Sequence, residues 1–511
     1  MKSRTEYTIL NIATGLGGYV INTILGFVCR MVFIRCLSAD YLGINGLFTN
    51  ILSMLSLAEL GIGTAIVYAL YKPLAENNQE EVASLVSFYG KAYRIIGILV
   101  GVVGLLFLPF LNNIITSKPN IHENIYVLYL FYLFNTSSTY FFSYRGTLLT
   151  AAQRNYIVTG VNYIITILQS ILQVIYLLIT KNYMGYLIIQ TIGTFIYNIL
   201  ISYIAKRKFP YIDSKTAKPI DKNKMWELIK NVKALIIIKI SGLLVNSTDN
   251  IIITYFNGLS VTGIASNYTL FSTTLNSLLN QIFNGITASI GNYNAIENEE
   301  DKKNMFFFVN LISFWLYAWT SIGIFLVSSD LVSLFFGSNY VLPIEIPLII
   351  GINFYIMGLQ GSIWTYKNTF GLFKYGQYLL VLTAIFNLFF SIVLGNMYGL
   401  FGILLATAIS RLLTNVWYEP YAIFKYGLKI NPSLYFKRYF YYTVMLIISG
   451  GLSYILCNLI AFSSLINVVL KIIICSVIPN LIFWLAFRHT KEWEKLKEMS
   501  KRTINLIIKR N

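Results

Sequence analysis

The side chains with chemistry to offer are few, and they stand in apolar company. Arg30, Glu59, Lys239, Asp249 and Arg411 all lie inside long hydrophobic runs, where an unpaired charge costs about 3 kcal/mol or more. Arg30, Lys239 and Arg411 give this set a cationic character, suited to phosphate or acidic sugar groups. Glu59 and Asp249 are the candidate sites for a coupling ion. Each charge also has a purely structural reading. Arg30 is close enough to a span end to snorkel, Lys239 could pair with a neighbouring helix, Asp249 could anchor a helix end and Glu59 could be a protonated packing residue. Covalent and metal chemistry is poorly supplied. The two histidines are His122 and His489, and Cys29, Cys36, Cys457 and Cys475 show no paired spacing, so neither a metal centre, a His-based nucleophile nor a disulfide framework is indicated. No phosphate-binding Gly-x-x-x-x-Gly-Lys-Ser/Thr loop is present, which removes ATP as a direct drive. No catalytic residue and no cofactor follow, and a non-enzymatic role leads.

The elements that hold these residues are membrane helices. The chain has 511 residues, of which 56% are hydrophobic and only 12% charged, with mean hydropathy +0.64; soluble domains carry about twice that charge. The net charge of +18 is therefore no nucleic-acid footprint. Continuous apolar runs, unlike the ten-residue alternation of barrel strands, predict an all-α polytopic membrane protein. Fourteen transmembrane helices are predicted, near 9–35, 41–71, 92–112, 122–143, 156–180, 184–205, 231–256, 260–290, 305–328, 343–366, 377–395, 399–422, 440–460 and 465–487. The first reads as a retained anchor, because no small-residue cleavage site follows a short apolar core.

Lys and Arg in short loops resist translocation. Arg35, Lys118 and Lys181 fall in outer segments and Arg30, Lys239, Arg411 and Lys471 within spans, which leaves most of the 39 cations on the side of the termini. Both termini are thus expected in the cytoplasm. Residues 1–205 form an N-terminal lobe of six spans, 206–230 a basic connector, 231–425 a C-terminal lobe of six spans, 426–487 spans 13 and 14, and 488–511 a basic tail. Nine cations crowd the stretch Lys206–Lys233. In the tail Trp493, Leu496, Ile504 and Ile507 recur near helical spacing among Lys and Arg, the pattern of a helix on anionic headgroups; a solvated charged tail is the alternative.

An internal repeat supports the two lobes. Leu37-Ser38 and Asn45 recur 222 residues later as Leu259-Ser260 and Asn267, and Glu59 aligns with Gln281. Two such halves share one topology, so the relation is a parallel repeat. Polar positions also recur at helical spacing. Asn11, Gly15, Gly18, Asn22, Gly26 and Arg30 share a face of span 1, and Asn45, Thr49, Ser53, Ser56, Glu59 and Gly63 one of span 2. Asn162, Thr166, Gln169 and Gln173 do so in span 5, Lys239, Gly242, Asn246 and Asp249 in span 7, and Thr274, Ser277, Gln281 and Asn284 in span 8. Such stripes line wet cavities or pack helices closely. Asn22, Asn45, Asn246 and Gln281 are taken as the cavity stripe. Tyr126, Tyr129 and Tyr132 stack along span 4, where interface packing outweighs sugar binding.

With these residues assembled, the chain resembles a known family. Phe33-Ile34-Arg35-Cys36-Leu37-Ser38-Ala39-Asp40-Tyr41-Leu42-Gly43, Ala58-Glu59-Leu60-Gly61, Thr248-Asp249-Asn250, Phe256-Asn257-Gly258, and Tyr144-Arg145-Gly146 to Ala152-Gln153-Arg154 are similar to the polysaccharide transporters of the multidrug/oligosaccharidyl-lipid/polysaccharide exporter superfamily. The resemblance implies a V-shaped pair of six-helix lobes around a central cavity, with two accessory helices. It implies a flippase that carries undecaprenyl-pyrophosphate-linked oligosaccharide repeat units across the bacterial cytoplasmic membrane for capsule or O-antigen assembly, with membrane lipid, a polymerase and other assembly proteins as partners and no nucleic acid. Related lipid II flippases set basic cavity residues against the pyrophosphate, which implicates Arg30 and Lys239 here. Multidrug members use an acid in the first helix, whereas span 1 offers Arg30. A multidrug or small-solute antiporter is the alternative. A membrane glycosyltransferase or polymerase is disfavoured by short outer loops holding only isolated Asp40, Glu123 and Asp330.

Overall fold

The computed structural model describes residues 4–56, 62–115, 119–152, 154–213, 248–280, 283, 290, 298–370, 372, 375–459 and 464–498. Glu59, Lys239, Asn246 and Gln281, the body of the connector and the last thirteen residues lie outside them. The described residues form helices joined by turns and short irregular segments. The chain divides into two compact units, Met1–Gly263 and Ile264–Asn511.

In the first unit run α1 (Arg4–Cys36), α2 (Ala39–Leu55), α3 (Ile62–Ala75), α4 (Gln79–Phe107), α5 (Ile125–Thr139), α6 (Tyr144–Ala151), α7 (Asn155–Thr180) and α8 (Tyr183–Lys208), followed by the start of α9 (248–280). Asparagines open three of them: the side chains of Asn78, Asn124 and Asn182 accept the backbone N–H of Glu81, Tyr126 and Gly185. Each satisfies one of the donors that every helix start leaves free. α1 packs along α7 and α7 along α8. On α7 the apolar face bearing Ile164, Leu168, Leu172, Ile175 and Ile179 is exposed, as a lipid-facing surface requires. The lower end of the opposite polar stripe is a packing seam. Gln173 is buried and its Nε2 donates to the Tyr186 carbonyl at 3.2 Å, Gln169 abuts Gly193, and Gly18 of α1 leaves room for the ring of Tyr163.

The second unit continues α9 and adds α10 (Glu299–Phe336), α11 (Glu345–Thr369), α12 (Gln377–Leu413), α13 (Asn415–Ala422), α14 (Ser433–Asn458) and α15 (Ser464–Phe487). α10 is its axis, packed by α11, α14 and α15. Phe314 of α10 is fully buried, stacked on Tyr442 at 4.4 Å and touching Phe483 at 5.0 Å.

Nine helical stretches among the described residues are long and apolar enough to cross a bilayer. One of them, Tyr378–Gly427, is 50 residues long, about 75 Å at helical rise and more than twice the hydrocarbon thickness. It turns back on itself at Gly399 (φ +57°, ψ −135°), where a β-carbon on Gly402 would lie 1.9 Å from the Leu394 carbonyl oxygen. This is the break expected between spans 11 and 12. Gly258 (φ +83°) interrupts α9 in the same way between expected spans 7 and 8, and Thr254 and Thr262 share a 3.0 Å hydrogen bond across the turn.

Three contacts were not legible from spacing. Cys457 and Cys475, unpaired by spacing, meet in one buried cluster between α14 and α15, because antiparallel helices bring together residues far apart in sequence. Asp330 is ion-paired within the fold: its Oδ2 accepts from Lys471 Nζ at 2.6 Å and its Oδ1 from Asn467. The described part of the tail is docked on protein. Trp493 stacks on Trp315 at 5.3 Å, and Glu492 is buried against Arg438, whose guanidinium lies 3.9 Å from the Phe307 ring centroid.

Candidate functional site

Arg30 lies in the last two turns of α1, half-buried and within electrostatic reach of Tyr186 on α8. The tyrosine is itself fixed. Its ring stacks on Tyr183 at 5.9 Å and meets the edge of Phe33 at 5.4 Å. Tyr183 is fully buried, shares a 2.8 Å hydrogen bond with the Tyr132 hydroxyl and packs against Tyr41. One guanidinium thus borders a wall of four tyrosines and a phenylalanine, drawn from α1, α2, α5 and α8. Rings of this kind present hydroxyls and flat apolar faces, and a cation beside them forms charge-assisted hydrogen bonds with oxyanions.

The wall is clipped to the neighbouring turns. The Tyr41 hydroxyl donates to Glu123 and accepts the His122 backbone N–H, Asp40 Oδ2 accepts the Asn120 N–H at 2.6 Å, and Ser38 Oγ donates to the Asn120 carbonyl. The acids of these turns therefore hold loops together. α2 and α9 approach so closely that a β-carbon on Gly43 would lie 2.1 Å from the Leu259 carbonyl oxygen, and one on Gly263 2.2 Å from that of Ala39. Further along the same seam Gly46 faces Asn250. This sets Asn45, whose Oδ1 accepts from Thr49 of its own helix, and half-buried Asp249 on neighbouring turns of packed helices. Asp249 lies more than two turns before the break at Gly258, so it does not cap a helix end there. Asn22, on α1 above Arg30, keeps a buried Oδ1 with no hydrogen-bond partner among the described residues.

Arg411, expected in mid-span, stands in the last turn of α12. Thr414 (φ −125°, ψ −86°) ends that helix three residues later. Around the break Thr383 bonds both Thr414 and Asn415, and Asn387 Nδ2 donates to Thr407. Buried polar groups thus join the two arms of this hairpin.

Sequence reasoning missed one charged group here. Glu419 of α13 is buried, with its Oε1 2.7 Å from Lys367 Nζ and its Oε2 2.9 Å from Trp364 Nε1. Tyr366-Lys367 lies 222 residues after Tyr144-Arg145, but nothing at that offset marks Glu419. In the first unit Arg145 likewise reaches the closing helix, donating to Ser202 Oγ of α8 at 2.8 Å. Nearby Arg154 lies over the Phe209 ring, and burial pushes the Tyr211 hydroxyl above its ordinary value against the opposing charge of Arg154. No group of three or more His, Cys, Asp or Glu able to hold a metal occurs among the described residues.

Residues 10–285 match a family described as "Polysaccharide biosynthesis protein". A search of curated proteins gave no sequence match. Among solved structures, the chain is similar to "Lipid II flippase MurJ, inward closed conformation", with 14% identity, TM-score 0.64, and 93% of this chain and 99% of that one covered. It is similar to the "Inward-facing conformation of a multidrug resistance MATE family transporter of the MOP superfamily", with 14% identity, TM-score 0.58, and coverage of 80% and 96%. It is also similar to "Crystal structure of MATE in the bent conformation", with 13% identity, TM-score 0.51, and coverage of 84% and 99%. At such identities the likeness is one of fold.

Proposed function

Since the chain belongs to the polysaccharide biosynthesis protein family, we propose that it is a flippase moving undecaprenyl-pyrophosphate-linked oligosaccharide repeat units from the inner to the outer leaflet of a bacterial cytoplasmic membrane, in capsule or O-antigen assembly. The observation that carries this reading is Arg30, a cation kept within an apolar helix beside the Tyr186 wall. A pyrophosphate crossing hydrocarbon alone meets a prohibitive desolvation cost. A wet path lined by Arg30, Lys239 and Arg411 offsets it, while the prenyl tail stays in lipid. Access alternates between the two faces without covalent chemistry, and Glu59 or Asp249 takes the coupling ion. Both termini and the 206–230 connector face the cytoplasm, and a polymerase and other assembly proteins are partners in the same pathway.

Depletion of the protein tests this reading. Lipid-linked repeat units should accumulate on the cytoplasmic face and a surface polysaccharide should be lost, with no change in tolerance of lipophilic cations, which the cationic path repels. Efflux of ethidium-like cations with an unchanged surface polymer would refute it and favour a multidrug antiporter.

A further inference from the structure

Lys367 and Trp364 stand one helical turn apart on α11, so both donors fall on one face. They converge on the two oxygens of one carboxylate, Glu419. The side chains of Lys367 and Glu419 are 13% and 1% exposed, and Trp364, at 38%, closes the outer side of the contact. Burying an ion pair gains little stability, because desolvation cancels most of the attraction, and a chain that needed only packing could fill this volume with apolar groups. Its chemistry is that of an anion site: an ammonium and an indole N–H, in low-dielectric surroundings, aimed at one oxyanion. The carboxylate that fills it sits on a short segment between two helix breaks. α13 has eight residues, begins at the non-helical Thr414, contains Pro420 and runs directly into the π-turn Ile423–Gly427. Breaks in regular helix flank it on both sides, and breaks of this kind are frequent at functional sites. Beside the cation, Gly376 (φ +83°) brings its backbone to Lys367, with a β-carbon position 3.5 Å from Nζ.

We propose that Lys367 and Trp364 form a phosphate-binding site in the second unit that Glu419 occupies as an internal stand-in, and that displacement of α13 hands the two donors to the pyrophosphate of the lipid-linked substrate. The inference rests on the flippase reading and adds residues to it. Tyr435 of α14 also lies within electrostatic reach of Glu419. Glu419 is the carboxylate in contact with Lys367 and Trp364, so it is the internal competitor.

The test is a titration of the purified full-length chain in detergent with inorganic pyrophosphate, read by calorimetry. Glu419→Gln removes the competing charge and keeps the shape, so its affinity should rise at least tenfold over the original chain. The double variant Lys367→Met/Glu419→Gln should lose that gain. Should Glu419→Gln fail to yield folded protein, the original chain is compared with Lys367→Arg and Lys367→Met: the affinity is to persist in the first and fall at least tenfold in the second. A parallel titration with farnesyl pyrophosphate separates the sources. A gain with both probes marks phosphate recognition alone as sufficient, and a gain with the prenyl probe only assigns the site to a lipid headgroup. An unchanged affinity in Glu419→Gln with both probes, or a gain that survives Lys367→Met, overturns the inference, whereas the flippase reading stands or falls on the depletion experiment.

Discussion

Gly43→Ala should destabilise the protein through a single methyl group. The added carbon would lie 2.1 Å from the Leu259 carbonyl oxygen, and an ordinary contact begins at 3.4 Å. The two helices must therefore part by about 1.3 Å, which costs more against backbone than against a side chain that can rotate away. Overpacking of this size costs about 1–3 kcal/mol, or about 5- to 150-fold in the folding equilibrium. Gly263→Ala presses the same seam from the opposite side, 2.2 Å from the Ala39 carbonyl oxygen. Once one methyl has opened the gap the second meets less resistance, so the double variant should lose less than the two singles added together, with a coupling of at least about 0.5 kcal/mol. Gly451→Ala is the control. Nothing lies within 4 Å of its β-carbon position on α14, and an exposed helical glycine gains about 0.5–1 kcal/mol on becoming alanine. Thermal unfolding of the purified chain in detergent reads all four variants. If Gly43→Ala melted with Gly451→Ala, the close approach of α2 to α9 would be wrong.

Lys471→Met strands the Asp330 carboxylate and should cost about 1–3 kcal/mol, and adding Asp330→Asn should recover most of it, as measured by thermal unfolding of the pair and of each single. Trp493→Ala removes the stack on Trp315 and should expose residues 488–498 to limited proteolysis at an unchanged rate of cleavage elsewhere; equal protection would show that Arg438 and Glu492 suffice. Arg30→Ala should abolish restoration of surface polysaccharide in depleted cells at normal protein abundance, and Arg30→Lys should retain part of it. Full activity in the alanine variant would leave Arg30 as a snorkelling residue.

The helical membrane architecture was legible in the sequence because its cause is local. Each apolar run must satisfy its own backbone hydrogen bonds in lipid, so α1, α7, α8, α14 and α15 could be placed from residue type alone. The glycines at 258 and 399 could be read as span breaks for the same reason, since they fall where apolar length exceeds one bilayer. What only tertiary structure decided is which polar groups meet. The stripe of Asn162, Thr166, Gln169 and Gln173 has the periodicity of a cavity wall, yet its lower end is spent on the Tyr186 carbonyl and on Gly193, because spacing sets a face but not its neighbour. Asp330 and Lys471, separated by 141 residues, and Glu419 and Lys367, separated by 52, carry no sequence signal of pairing. Their partnership follows from how α10 meets α15 and α11 meets α13, and buried charges answer to the side chains that those crossings bring within 3 Å.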